Sequence, residues 1–117
     1  MIKVTIYKTK RNAYYGFDVK GHAEFLEEGR DIVCAAASVL IINTINAIER
    51  FTDEETTVVQ DEEEASIEFR FPDHAGKEAH LLLDAMVLGL ETIEEDNING
   101  HQTSQFNAYI DIIFEEV

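Results

Sequence analysis

The sequence predicts an α+β two-layer sandwich: one mostly antiparallel β-sheet with two helices packed on a single face. Three observations lead there. Nearly every extended stretch alternates apolar with polar residues, the period of a strand with one buried face. Two longer stretches repeat their apolar residues at three and four positions, the period of a helix with a buried stripe. The order of these stretches is β-β-α-β-β-α-β, and 117 residues suffice for one core and not two, so residues 1–117 are read as a single domain.

Ile2, Val4 and Ile6 alternate with Lys3, Thr5 and Tyr7 to give the first strand, and Lys8 to Asn12 is a polar turn. Tyr15, Phe17 and Val19 alternate with Gly16, Asp18 and Lys20 in a second strand that pairs with the first as a hairpin and ends at Gly21. From His22 to Arg30 there is no clean period, which reads as a mobile loop. Asp31 is a good N-cap for a helix from Ile32 to about Phe51 whose polar stripe is narrow. Thr56 to Gln60 is a short β-branched strand, and Asp61 to Glu64 an acidic turn. Ala65, Ile67, Phe69 and Phe71 form a strand that stops at Pro72. After Gly76, the run Ala79, Leu82, Leu83, Met86, Leu90 and Ile93 makes a helix to roughly Glu95, and Asn99-Gly100 marks a turn. Phe106, Ala108, Ile110, Ile112 and Phe114 belong to a long closing strand.

Nine basic against 24 acidic residues give a formal charge of −15. That field repels phosphates, so nucleic acid is not expected as a direct partner. It favours a basic protein or peptide, although acidity that merely keeps a protein soluble reads the same way. A single cysteine excludes an internal disulfide and, with no hydrophobic leader after Met1, points to the cytoplasm. The apolar run Ile32 to Ile42 is too short for a bilayer, so no membrane partner is expected. Both helices carry more apolar surface than one sheet face covers; either they cover each other or a homodimer does.

The chemistry is concentrated between Gly21 and Ser38. If Asp31 caps the helix, Cys34 lies in its first turn, where the positive end of the helix favours a thiolate. His22 stands at a strand end across a short loop, and imidazole is the usual activator of a cysteine thiol. Ala35, Ala36 and Ala37 let a backbone or a substrate come close, and Ser38, one turn beyond Cys34, either bonds near the sulfur or back-bonds to its own helix. The plainer reading of Cys34 is packing, since it shares a stripe with Ile41, Ile45 and Ile48. Glu24, Glu27 and Glu28 oppose thiolate formation and read as a solvated loop or as a greeting for a positively charged substrate. Phe25 and Leu26 suit an apolar substrate side chain or simply anchor the loop. His22, His74, His80 and His101 form no tight cluster with Cys34, so no metal and no cofactor is expected.

Gly21-His22-Ala23 followed by Gly29-x-Asp31-x-Val33-Cys34-Ala35-Ala36-x-Ser38 resembles the ribosomal-processing cysteine protease family called Prp. Length, acidity and the closing strand resemble it too, and Ala37 is a small departure where valine is as common. The resemblance implies a dimeric endopeptidase of the bacterial cytoplasm that removes a short N-terminal extension from the twenty-seventh protein of the large ribosomal subunit. That extension carries a hydrophobic, phenylalanine-containing sequence ahead of the cut. By position the family's nucleophile falls on Cys34 and its base on His22; Gly21, Asp31 and Ser38 are candidates for support on the reading of the residues themselves, and no third catalytic residue is named. Ribosomal proteins are basic, which would give the acidic charge a partner. Two other readings stand beside it: a non-enzymatic acidic dimer that chaperones a basic ribosomal protein, and a thiol-transfer enzyme, which one cysteine leaves without a resolving partner in the chain.

Overall fold

The computed structural model describes residues 2–21, 28–95, 97–98, 101–102 and 110–117, with stretches 28–32, 97–98 and 101–102 described by backbone alone. Its elements are β1 (Ile2–Lys8), β2 (Tyr14–Lys20), α1 (Glu28–Phe51), β3 (Thr57–Asp61), β4 (Ser66–Arg70), α2 (Lys77–Glu94), β5 (Asn97–Ile98), β6 (His101–Gln102) and β7 (Ile110–Glu116). Five strands form one sheet in the order β3-β4-β2-β1-β7. Its three inner pairings β3·β4, β4·β2 and β2·β1 are antiparallel, while β7 lies parallel to β1, from Ile2 opposite Ile110 to Lys8 opposite Glu116. β5 and β6 add a separate two-stranded pair, with Ile98 opposite His101, where the sequence predicts only a turn.

The core is one cluster between the sheet and the helices. Ile2, Val4 and Ile6 of β1, Phe17 and Val19 of β2, Phe69 of β4 and Ile110 of β7 point into it. α1 contributes Val33, Ala37, Ile41, Ile45 and Ile48, and α2 contributes Ala79, Leu83, Met86, Val87, Leu90 and Ile93. Steps of three, four and seven residues along each helix put these side chains on one stripe, as the sequence predicts. Phe69 stacks on Phe17 with ring centroids 5.0 Å apart and meets Phe71 edge-on at 5.2 Å. The stretch Val33–Phe51 is long and apolar enough by composition to cross a membrane, yet its apolar stripe is packed into this core. The two helices also pack on each other. At Gly89 a Cβ would lie 2.9 Å from Leu40 Cδ1, so glycine lets α2 approach α1 here without the Leu40 side chain having to move.

In one strand the alternation misleads. Tyr7 of β1 faces Gly16 and Lys8 faces Tyr14, leaving Tyr15 as an extra residue. This β-bulge reverses the phase at the start of β2, so Tyr14, not Tyr15, is buried. The Tyr14 hydroxyl donates to Asp84 Oδ1 of α2 at 2.6 Å, and its ring lies under the Lys8 ammonium at 4.4 Å and beside His80 at 4.8 Å. On the outer face of the sheet Asp18 accepts from the Tyr7 hydroxyl at 2.9 Å and pairs with Arg70 at 2.8 Å, while Arg70 lies over the Tyr7 ring.

Burial, and then the hydrogen bond to the Asp84 carboxylate, push the Tyr14 phenol well above its ordinary value of 10.0. A tyrosine that holds its proton more tightly when folded contributes stability that is complete below about pH 10 and is lost as pH rises past it. The stability of the wild type is therefore expected to fall above about pH 10 more steeply than that of Tyr14→Phe. Urea unfolding of both proteins at about pH 9 and about pH 11 checks this, and parallel losses would refute it.

Candidate active site

The site is built on the end of β2 and the first turns of α1. β2 stops at Lys20, and Gly21 leaves it with a φ of 80°, a left-handed conformation suited to glycine. The Gly21 N–H donates to the carbonyl of Ala65 at 3.0 Å, tying this strand end to the turn between β3 and β4. That turn is itself held. Asp61 Oδ1 accepts from the N–H groups of Glu63 and Glu64 at 3.0 and 3.2 Å, the bond an aspartate makes to its own turn. Ala65 closes the turn with a positive φ of 50°. His22 follows Gly21 directly. It lies outside the described residues, as do Glu24, Phe25, Leu26 and Glu27, and the side chains of Glu28 and Asp31.

α1 begins at Glu28, not at Ile32, so Asp31 is the fourth helical residue and not the N-cap. Once a first turn exists, each further residue adds a hydrogen bond, and Gly29 costs only about 1 kcal/mol against alanine, too little to stop the helix. Glu28 and Asp31 fall in the first turn, where negative charge suits the positive end. Cys34 is thus the seventh residue of α1, almost two turns in. Its backbone N–H is a donor inside the helix rather than an orphan at its start. The field of the helix terminus, which fades within the first turn, acts on it weakly.

Cys34 is half-buried and packs against the core between buried Val33 and Ala37, on the stripe it shares with Ile41, Ile45 and Ile48. Ala35 is exposed and Ala36 half-buried, so small side chains flank the cysteine on its open side. Ser38 is exposed one turn further on. It lines a cavity of about 340 Å³ together with Val19 and Gly21 at the end of β2, Ala65, Ser66 and Ile67, and the residues Gln60, Asp61 and Glu62. The cavity therefore joins the strand end that leads into His22 to the helix face one turn beyond Cys34. Among the candidates, the structure brings Gly21 and Ser38 together there.

The turn from Asp61 to Ala65 is the part that sequence reasoning misses. Its acidity is plain in the sequence, but its neighbourhood follows from the pairing of Lys20 with Ser66, which links segments more than forty residues apart. Elsewhere, His80 Nε2 lies 3.4 Å from Asp84 and His74 Nε2 lies 3.6 Å from Asp73, both away from the cavity lining. Among the described residues no three His, Cys, Asp or Glu side chains converge to hold a metal ion.

Comparison with known proteins bears on the family and the fold. A family model described as cysteine protease Prp matches residues 1–101. A ribosomal processing cysteine protease Prp from Bacillus subtilis is 33% identical over 100 residues, 82% of this chain and 89% of the relative. A protein of the same description from Staphylococcus aureus is 40% identical over 76 residues, 65% of this chain and 72% of the relative. The crystal structure of an essential ribosomal processing protease Prp from S. aureus with a substrate peptide superposes with a TM-score of 0.84 at 30% identity. The match covers 98% of this chain and all of that one. A solved structure from Streptococcus mutans gives a TM-score of 0.82 at 25% identity, over 100% of this chain and 99% of that one.

The left-handed conformation of Gly21 makes one clear demand. Gly21→Ala is expected to cost about 1–2 kcal/mol of stability, the penalty of a Cβ in that region. A urea unfolding midpoint that does not move would show that the strand end relaxes freely.

Proposed function

The chain belongs to the Prp family of cysteine proteases, and on that premise we propose that it removes the N-terminal extension of a large-subunit ribosomal protein, the twenty-seventh, in the bacterial cytoplasm. It is a cysteine protease, and similar structures hold a substrate peptide and a covalently linked product peptide. The observation that carries the reading is the position of Cys34, half-buried on α1 within one turn of a cavity that Gly21, the residue before His22, also lines. A protein of charge −15 suits a basic ribosomal substrate.

In this mechanism His22 takes the proton of the Cys34 thiol, and the sulfur attacks the scissile carbonyl carbon. The tetrahedral adduct collapses as the C–N bond breaks, and the protonated imidazole gives its proton to the leaving amine. Water, deprotonated by His22, then hydrolyses the thioester and releases the cysteine. Because Cys34 lies almost two turns inside α1, activation falls to the imidazole more than to the helix terminus. The Cys34 N–H, committed within the helix, is not an oxyanion donor in this arrangement. Asp31, no longer a cap, is a first-turn carboxylate three residues before the nucleophile.

A homodimer completes the proposal. Val39 (67% exposed) on α1 and Leu81 (69%) and Leu88 (67%) on α2 leave large apolar side chains on the outer faces of the helices. Such a surface is what a second copy would cover.

Two outcomes follow. With a precursor carrying the extension, Cys34→Ala is expected to abolish cutting and His22→Ala to lower it by about 10²-fold or more, with circular dichroism unchanged. Wild-type rates from Cys34→Ala, read by mass spectrometry of the products, would overturn the assignment. Leu88→Glu is expected to shift the protein from dimer to monomer in sedimentation equilibrium. A wild type that sediments as a monomer at all concentrations would remove the dimer.

A further inference from the structure

We propose that the cavity between the β2 end, Ser38 and the β3–β4 turn is a specificity pocket for a lysine or arginine side chain of the polypeptide being cut, an inference that rests on the protease reading above.

The pocket has the form such a side chain requires. Its floor is apolar, made by Val19, Ala65 and Ile67, and its outer wall is the turn that carries the Asp61 and Glu62 carboxylates. Lysine and arginine are amphipathic in the same sense, an aliphatic stem ending in a cation. Laid in the cavity, the stem covers the apolar floor and the head reaches the carboxylates. At about 340 Å³ it is within the usual range of ligand pockets, roughly 300–1,000 Å³, and has room for one long side chain.

One carboxylate of this wall is also held in place. Asp61 Oδ1 accepts two backbone N–H groups of its own turn, so its carboxylate is oriented before any ligand arrives. The turn is tied to the strand end by the Gly21 to Ala65 hydrogen bond. Preorganised charge costs little to use on binding. Among the described residues lining the pocket there is no lysine, arginine or histidine, so no side chain of the lining neutralises the two carboxylates. Both residues are exposed, so a cationic head can reach them while it keeps its contact with water.

The register to the reaction follows from the helix. Ser38 lies four residues beyond Cys34, a rise of about 6 Å along α1. A peptide lying extended along α1 advances about 3.3 Å per residue, so the pocket receives a side chain about two residues from the scissile bond.

The test uses the full-length protein and the extended precursor of the twenty-seventh large-subunit ribosomal protein, with the cut mapped by mass spectrometry. Each lysine or arginine within four residues of the cut is replaced in turn by glutamine. One replacement is expected to lower kcat/KM by about threefold to tenfold, mainly through KM, as loss of a partly screened charge contact does. Asp61→Asn, which keeps an oxygen acceptor for the turn, combined with Glu62→Gln is expected to lower kcat/KM for the unmodified precursor to a similar extent. The same double variant cuts the critical replaced precursor no worse than the wild type does. Glu62→Arg is expected to recover rate on a precursor in which that basic residue becomes glutamate, a recovery that misfolding cannot produce. Asp73→Asn, which removes one exposed charge elsewhere, controls for net charge and leaves all rates unchanged. If the wild type cuts the precursor but no basic residue near the cut matters, or if the double variant loses equally on charged and neutral precursors, the pocket assignment falls alone. If the wild type leaves the precursor intact, the protease substrate itself is wrong and the pocket falls with it.

Discussion

The packing of α1 on the sheet is the constraint on which the site depends. Val33, Ile41 and Ile48, at most 2% exposed, each contribute about 1.5–3 kcal/mol by leaving water. They rotate the helix so that Cys34, on the boundary of the buried stripe, is half-covered and not lost in the core. A rotation of one residue, 100°, would take the sulfur into solvent or into the core. The alanines after it keep this boundary low, and Ser38 continues the same edge to the cavity. The packing that stabilises the fold thus also sets how much of Cys34, the proposed nucleophile, is presented.

The other half of the site is positioned by backbone rather than by side chains. Gly21 leaves β2 in a left-handed conformation and is held by Ala65, whose own turn is clamped by Asp61. Gly21, the residue before the proposed base, and Cys34, the proposed nucleophile, therefore belong to different parts of the molecule, one at a strand end tied to its neighbouring turn, the other on a helix. Because α1 starts at Glu28, the electrostatic help expected from a helix terminus at Cys34 is small, and in the proposed mechanism the demand on the base grows correspondingly. That shift makes the placement of Gly21 matter more than the sequence alone implies.

Much of this fold is legible in the sequence because one face of each element is buried. Alternation finds β1, β4 and both helices, with Ile2, Val4, Ile6, Phe69, Ile41 and Leu83 all on the face expected. It fails at Tyr14 and Tyr15, since a bulge is a property of the paired strands and not of one strand. It is silent on β7 lying parallel to β1, because register and neighbour order depend on contacts remote in sequence. The start of α1 is misread for a different reason. Asp31 has the chemistry of a cap, but a residue suited to capping is equally at home in a first turn, and the preceding glutamate and arginine extend the helix. Of the site, Gly21, His22, Cys34 and Ser38 are visible as a motif. The cavity that joins Gly21 to Ser38 is not, since a third segment, Gln60 to Ile67, completes it.

The charge of the protein is best understood through that same turn. A net −15 describes the whole surface, but at physiological salt a charge is screened beyond about 8 Å, so most of the 24 acidic residues act on a substrate only during approach. Near the cut the relevant charges are those in contact, and Asp61 and Glu62 line the described cavity while no basic side chain does. The general field raises the rate of encounter for a basic protein and falls with salt. The local pair is exposed, but a side chain in the proposed pocket meets it at contact distance, well inside the screening length, so in that proposal it acts on which segment of the bound chain settles near Cys34 and is screened less than the distant charges. Encounter and register are thus separable in this molecule: added salt weakens the first more than the second.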